Sequence, residues 1–201
     1  DVFIENRGSA LMPGLPKMSK GSQPTDGGNL ILSLAERDEL LKKHSQLEGC
    51  IRQYISADDY INNKKRYCLW LKGVSPKLYR VPEVLQRLEA VAEMRRKSPT
   101  KSVQRDAETP MLFTQIRQPE ADYLVVPEVS SERRRYVPIG LVHKNVIVSN
   151  MLYVVSNASL TSFGILISNV HMAWMRVVGG RLKSDYRYTP AVYNNFPWPA
   201  I

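Results

Sequence analysis

The spacing of hydrophobic and polar positions changes along the chain, and each change predicts an element. Leu30-Ile31-Leu32 is a short apolar run that follows the turn residues Asp26-Gly27-Gly28, which predicts a strand. Ser33-Leu34-Ala35-Glu36 then has capping-box spacing, so a helix is predicted through about Lys43. A second strand is predicted over residues 67–71. Ser75-Pro76 places an N-cap before a proline at the first helical position. Val84, Leu85, Leu88, Val91 and Met94 then recur at helical spacing up to Arg95-Arg96-Lys97, a basic end that suits the C-terminal helix dipole.

Beyond Thr109 the pattern turns to β character. Strands are predicted over residues 123–126, 135–137, 146–148 and 151–155, separated by Pro, Gly or Asn and expected to pair into a sheet. Residues 159–178 are mostly apolar and read as one buried helix or two abutting helices, closed by Gly179-Gly180. The first thirty residues are rich in Gly, Pro and Ser, as in an arm or linker rather than a core element. Helices and strands mix without βαβ regularity, so the expected fold class is α+β. A mainly antiparallel sheet would be packed by amphipathic and buried helices, with an irregular N-terminal arm. The expected organisation is an arm over 1–29 and one domain over 30–201, with a split into lobes near 30–110 and 111–201 left open. The start at Asp1, without an initiator Met and leading straight into Val2-Phe3-Ile4, sets the expectation that the natural polypeptide extends upstream.

Composition narrows the class. A chain of 201 residues with 43% hydrophobic content can bury a real core. Cys50 and Cys68, with seventeen residues between them, match neither a metal pair nor a disulfide framework, and read as buried thiols in a reducing cytoplasm. The apolar runs are too short to span a bilayer, so no membrane role is expected. The net charge of +9 favours a polyanionic partner, and its distribution is uneven. Residues 64–117 hold 13 Lys/Arg against 5 Asp/Glu, and residues 131–187 hold 8 against 2. An acidic connector, 118–130, separates the two blocks. Solvated helix faces are the competing explanation for such blocks.

Several chemistries are excluded. There is no Gly-x-Gly for a cofactor loop, no Asn-Pro-Pro-aromatic loop to hold a flipped adenine, and no Asp or Glu followed two residues on by Lys. His44, His143 and His171 are scattered and read as structural or surface residues, so neither a catalytic nor a metal site is expected.

Four segments carry a resemblance. They are Pro24-Thr25-Asp26-Gly27-Gly28-Asn29-Leu30-Ile31-Leu32-Ser33; Ile116-Arg117-Gln118-Pro119 through Asp122-Tyr123; Ser130-Ser131-Glu132-Arg133-Arg134 with Tyr136-Val137-Pro138-Ile139-Gly140; and His171-Met172-Ala173-Trp174-Met175-Arg176. The last continues through Gly180-Arg181-Leu182-Lys183-Ser184-Asp185-Tyr186-Arg187-Tyr188 to Tyr193-Asn194-Asn195-Phe196-Pro197-Trp198-Pro199. Together they resemble the recognition part of the MmeI-like (type IIL) family, single-chain enzymes that combine an endonuclease, an adenine methyltransferase and a target-recognition domain. Gly179, where a cysteine or another small residue is expected, and Gln23, in place of an apolar residue, depart from the pattern. The resemblance implies that this chain is not itself an enzyme. It would read double-stranded DNA beside a target adenine, while an upstream methyltransferase domain binds S-adenosylmethionine and a nuclease lies further upstream. A basic protein-interaction or scaffold domain is the alternative.

Two segments are the candidate DNA-binding sites. In Ser131, Glu132, Arg133, Arg134 and Arg135, three successive arginines before a predicted strand cannot all face a core, because strand neighbours alternate. Arg can fork onto guanine or clamp phosphate, and Glu132 can accept from cytosine N4 or orient an Arg. A salt-bridged strand edge is the competing explanation. Arg181, Lys183, Ser184, Asp185, Tyr186 and Arg187 follow the glycine stop as a loop of basic, hydroxyl and aromatic groups, the composition of a phosphate clamp. An internal Asp185–Arg187 pair would merely stiffen that loop. Met172, Trp174, Met175, Phe196 and Trp198 are read as packing residues.

Overall fold

The computed structural model describes residues 11–199. The Val2-Phe3-Ile4 start, on which the expectation of an upstream extension rests, lies outside them. The described elements begin with β1 (Met18–Lys20), β2 (Ile31–Ser33), α1 (Leu34–Lys43), β3 (Ile51–Ile55), α2 (Ala57–Asn62), β4 (Arg66–Leu69), α3 (Pro82–Arg96) and α4 (Lys101–Arg105). They continue with β5 (Tyr123–Pro127), β6 (Val129–Ser130), β7 (Gly140–Val142), β8 (Ile147–Val148), β9 (Leu152–Ser156), α5 (Leu160–Leu166) and α6 (Asn169–Val178). β10 (Gly180–Leu182), β11 (Asp185–Arg187) and α7 (Pro190–Asn194) complete the series. The architecture is α+β. The chain divides into two compact units, an N-terminal unit of Gly21–Gln118 with Asn145–Asn150, and a C-terminal unit of Pro119–Lys144 with the described parts of Asp1–Lys20 and Met151–Ile201.

In the N-terminal unit the strands lie in the order β2-β4-β3-β8, with β4 antiparallel to both neighbours and β8 parallel to β3. The predicted strand near Val146 therefore joins this sheet and not that of the later strands. The capping box forms: Ser33 Oγ accepts from Glu36 N–H, and Glu36 accepts from Ser33 N–H at 2.8 Å. That backbone bond, followed by the bonds from Arg87 and the Ser33 hydroxyl, lowers the Glu36 pKa to about 2. The predicted helix after Ser75 opens instead as a 3-10 turn over Pro76–Arg80, and Pro82 starts α3. Val84, Leu88 and Val91 of α3 are buried at helical spacing, and Arg95 continues the same stripe inward instead of pointing to solvent at the helix end. All five guanidinium N–H groups are satisfied by backbone carbonyls: Pro24, Thr25, Asp106, Thr109 and Leu112, at 2.7–3.1 Å. Cys50 and Cys68 are buried free thiols.

The C-terminal unit holds an antiparallel sheet in the order β1-β9-β5-β7. Every residue of β5 is buried, as expected for a continuous apolar run covered on both faces. Met18 of β1 joins the core with Met172, Met175, Tyr188, Tyr193, Phe196 and Trp198. The 159–178 region is two abutting helices. Gly179 does not end α6 in a left-handed conformation: its φ is −69°, and a Cβ there would lie 2.5 Å from the Met175 carbonyl oxygen, so close backbone approach is what demands glycine. Residues 135–137 form no strand. They belong to a bend after β6, and Val137 is buried from irregular backbone.

Candidate nucleic-acid interface

A small sheet in the order β10-β11-β6 builds the site. Residues 180–187, expected as a loop, are a β-hairpin in which Leu182 faces Asp185 across a two-residue turn, Lys183-Ser184. Its second strand pairs with β6 in the register Tyr186↔Ser130 and Arg187↔Val129. The chain therefore leaves β6 into Ser131 directly beside the hairpin. Two basic segments fifty residues apart in sequence form one surface.

Local bonds shape the turn after β6. Ser131 Oγ accepts from Arg133 N–H at 3.3 Å, and the Ser131 carbonyl accepts from Arg134 N–H at 3.1 Å. Asp185 Oδ1 accepts from Glu132 N–H at 3.3 Å, tying the turn to the hairpin. Glu132, Arg133, Arg134 and Arg135 are all exposed. The Arg135 guanidinium lies 5.3 Å from the Tyr136 ring centroid, and Tyr136 in turn donates to Asn169 Oδ1 at the start of α6. The side chains of Glu132, Arg133, Arg134 and Lys183 make no hydrogen bond or ion pair among the described residues.

The other cations have partners. Arg181 stacks 3.9 Å from the centroid of the buried Tyr186 ring and donates from Nη1 to the Ser184 carbonyl at 3.0 Å. Arg187 donates through Nε and Nη2 to Glu128 Oε1 at 3.2 and 3.0 Å, while Lys20 reaches Glu128 Oε2 at 3.2 Å. The internal Asp185–Arg187 pair is thus not formed. Burial pushes the Glu128 carboxyl up, but the bonds from Arg187 and Lys20 outweigh it and hold its pKa below the ordinary value. Lys183 has φ +56°, a left-handed conformation that costs a residue with a Cβ.

Behind this surface, Tyr188 donates its N–H to the Glu128 carbonyl at 2.7 Å, and its hydroxyl bonds His171 Nε2 at 2.9 Å. His171 is buried edge-on to Phe196, its Nδ1 has no hydrogen-bond partner among the described residues, and desolvation lowers its pKa to about 4. His44 pairs with Glu83 at 2.7 Å and His143 lies 3.9 Å from Asp122. Among the described residues no group of three or more His, Cys, Asp or Glu stands ready to hold a metal ion, and no helix is long and apolar enough to cross a membrane. Sequence reasoning did not single out Lys20, Glu128 or Asn169. Glu128 carries only a weak signal, an acid placed between a fully apolar run and the serine pair that opens the basic segment.

A family model described as MmeI, target recognition domain, matches residues 1–200. The chain belongs to this family. As an MmeI target recognition domain it is similar to DNA methyltransferase A of Bacillus subtilis (strain 168), 38% identical over 203 residues, a match that takes in 100% of this chain and 23% of that protein. It is also similar to a solved structure of the type IIL restriction-modification enzyme MmeI in complex with DNA. That match has 43% identity and a TM-score of 0.91, over 100% of this chain and 27% of that one. The target recognition domain therefore spans about a quarter of the length of these relatives.

Proposed function

We propose that this domain reads the sequence of duplex DNA and so positions a DNA adenine methyltransferase, together with its associated endonuclease, carried on the same longer cytoplasmic polypeptide. The convergence of the turn after β6 with the β10–β11 hairpin carries this reading. It presents Arg133, Arg134, Arg135 and Lys183 outward from one small, internally braced sheet. Sequence reading requires side chains free to meet base edges, held on a support that fixes their register. Arg133, Arg134 or Arg135 would fork onto guanine O6 and N7, and Glu132 would accept from cytosine N4. Lys183 and Ser184 at the hairpin tip, with Arg181 on its Tyr186 platform, would meet phosphate; Arg187 lies beside them, paired with Glu128, and Asp185 would hold the turn in place.

S-adenosylmethionine would be bound elsewhere in that polypeptide. This chain offers no Gly-x-Gly cradle for it, and no step of methyl transfer is assigned to its residues. The test is a fluorescence-anisotropy titration of the 201-residue chain with duplex DNA at low salt. Binding that weakens steeply with added NaCl is expected, because neutralised phosphates release condensed counterions. Absence of binding at low salt would refute the reading. The same preparation given the methyl donor should yield no methylated adenine.

A further inference from the structure

Among the described residues Lys183 and the Arg133-Arg134 pair have no side-chain partner to surrender, whereas Arg187 and Lys20 share one carboxylate. The geometry around that carboxylate is asymmetric. The Glu128 side chain is 16% exposed, against 44% for Lys20 and 53% for Arg187. The cations can swing into solvent; the acid cannot follow them. Its backbone is pinned as well, since its carbonyl accepts from Tyr188 N–H at 2.7 Å. Drawing either cation onto a phosphate would leave a partly buried carboxylate short of a partner, a cost that a free lysine does not carry.

On the DNA-reading function proposed above, we propose that Glu128 is a positioning residue that withholds Arg187 and Lys20 from phosphate. General charge then contributes less to binding, and the base-facing turn contributes proportionately more. Two cations on strands β1 and β11, each with over two-fifths of its side chain exposed, would otherwise bind any duplex alike. Discrimination improves when sequence-independent attraction is reduced, since specificity is a difference between affinities.

The experiment compares the 201-residue chain with its Glu128→Gln, Arg187→Gln and doubly substituted forms. The probe is a fluorescein-labelled duplex of random sequence, titrated between 50 and 200 mM NaCl. Glutamine keeps the shape of Glu128 and removes its charge. Glu128→Gln should steepen the dependence of log Kd on log salt by about 0.9 per cation released, hence by up to about 2. That slope corresponds to about tenfold more affinity lost over the same salt range. Arg187→Gln should change the native slope by less than about half a unit, yet remove about one unit in the Glu128→Gln background. If Glu128→Gln binds with the native slope, or if Arg187→Gln loses as much in the native background as in the substituted one, the inference is overturned while the DNA-reading function stands. If the unsubstituted chain binds no duplex, both fall together. Should Glu128→Gln not fold, the Arg187→Gln arm decides alone: an unchanged slope supports the withholding role, and a loss of about one unit ends it.

Discussion

Arg95 in the N-terminal unit and Arg133 and Arg134 in the C-terminal unit are the same residue type put to opposite uses. Arg95 is wholly buried, and each of its five N–H groups meets a carbonyl. Arg133 and Arg134 are exposed and make no side-chain bond among the described residues. The contrast extends to the blocks that contain them. The 64–117 block has the larger excess of positive charge, but Lys64, Arg66, Arg87 and Lys97 are paired with carboxylates and Arg95 is sealed inside. The 131–187 block has the smaller excess, but Arg133, Arg134 and Lys183, without a side-chain partner among the described residues, are carried by two segments that pair in one small sheet. Net charge therefore locates a ligand surface poorly; what marks the candidate surface is that unpartnered cations from two distant segments are brought onto one sheet.

The largest effect should come from breaking the buried member of that contrast. Arg95→Met keeps the apolar stem of the α3 stripe, strips the Pro24, Thr25 and Leu112 carbonyls of their donor, and leaves those of Asp106 and Thr109 only their local donors. A loss of about 3 kcal/mol or more in urea unfolding is expected, because each orphaned buried acceptor costs about 1–3 kcal/mol. Arg95→Lys should recover little, since an ammonium cannot reproduce the planar fork. Arg134→Ala should change stability by less than about 0.5 kcal/mol, as surface substitutions do. Equal losses for Arg95→Met and Arg134→Ala would abolish the distinction.

A second test sharpens the comparison on the side of the C-terminal core. The folded pKa of His171 is about 4 against an ordinary 6.5, so the unfolded chain binds the extra proton between those values. The stability from burying neutral His171 is fully present above about pH 6.5 and lost as pH falls toward 4. That loss is on the order of 2 kcal/mol. Unfolding followed through the emission of Trp174 and Trp198 at pH 7 and pH 5 should show it, and His171→Phe should flatten it. Glu36 acts lower: its contribution is present above about 4.5 and fades as pH falls toward 2.

What the sequence made legible was local. The Ser33/Glu36 capping box, the buried run of β5 and the α5–α6 pair are each encoded within a few residues of one another. The segments of the candidate site were also visible as composition. Their adjacency was not, because the pairing of Ser130 with Tyr186 is a tertiary register that no neighbouring residue announces. The burial of Arg95 was not legible for a related reason: the sequence shows it only as part of a basic end suited to the helix dipole, and its five acceptors come from outside its own helix. Arg135 and Val137 have β character but no ladder partner, so that segment bends.

Within the exposed class, the arginines and Glu132 should act on sequence choice. Methylation by the proposed longer polypeptide across a panel of single-base site variants should shift by about 1–3 kcal/mol at one base pair for at least one of Glu132→Ala, Arg133→Ala, Arg134→Ala and Arg135→Ala. Uniform losses at every site would make the turn a backbone clamp instead.

The smallest effect concerns Lys183, which is strained and has no side-chain partner among the described residues. A residue with a Cβ at φ +56° costs about 1 kcal/mol, and glycine relieves that cost while giving back part of it as unfolded-state entropy. Lys183→Ala and Lys183→Gly both remove the charge, and only the glycine removes the strain. Both should lower the salt slope for duplex binding by about one phosphate contact. Thermal unfolding should then separate them, with the glycine form more stable than the alanine form by up to about 1 kcal/mol. Equal stabilities would mean that the hairpin tip stores no strain, and native salt slopes in both would mean that Lys183 meets no phosphate.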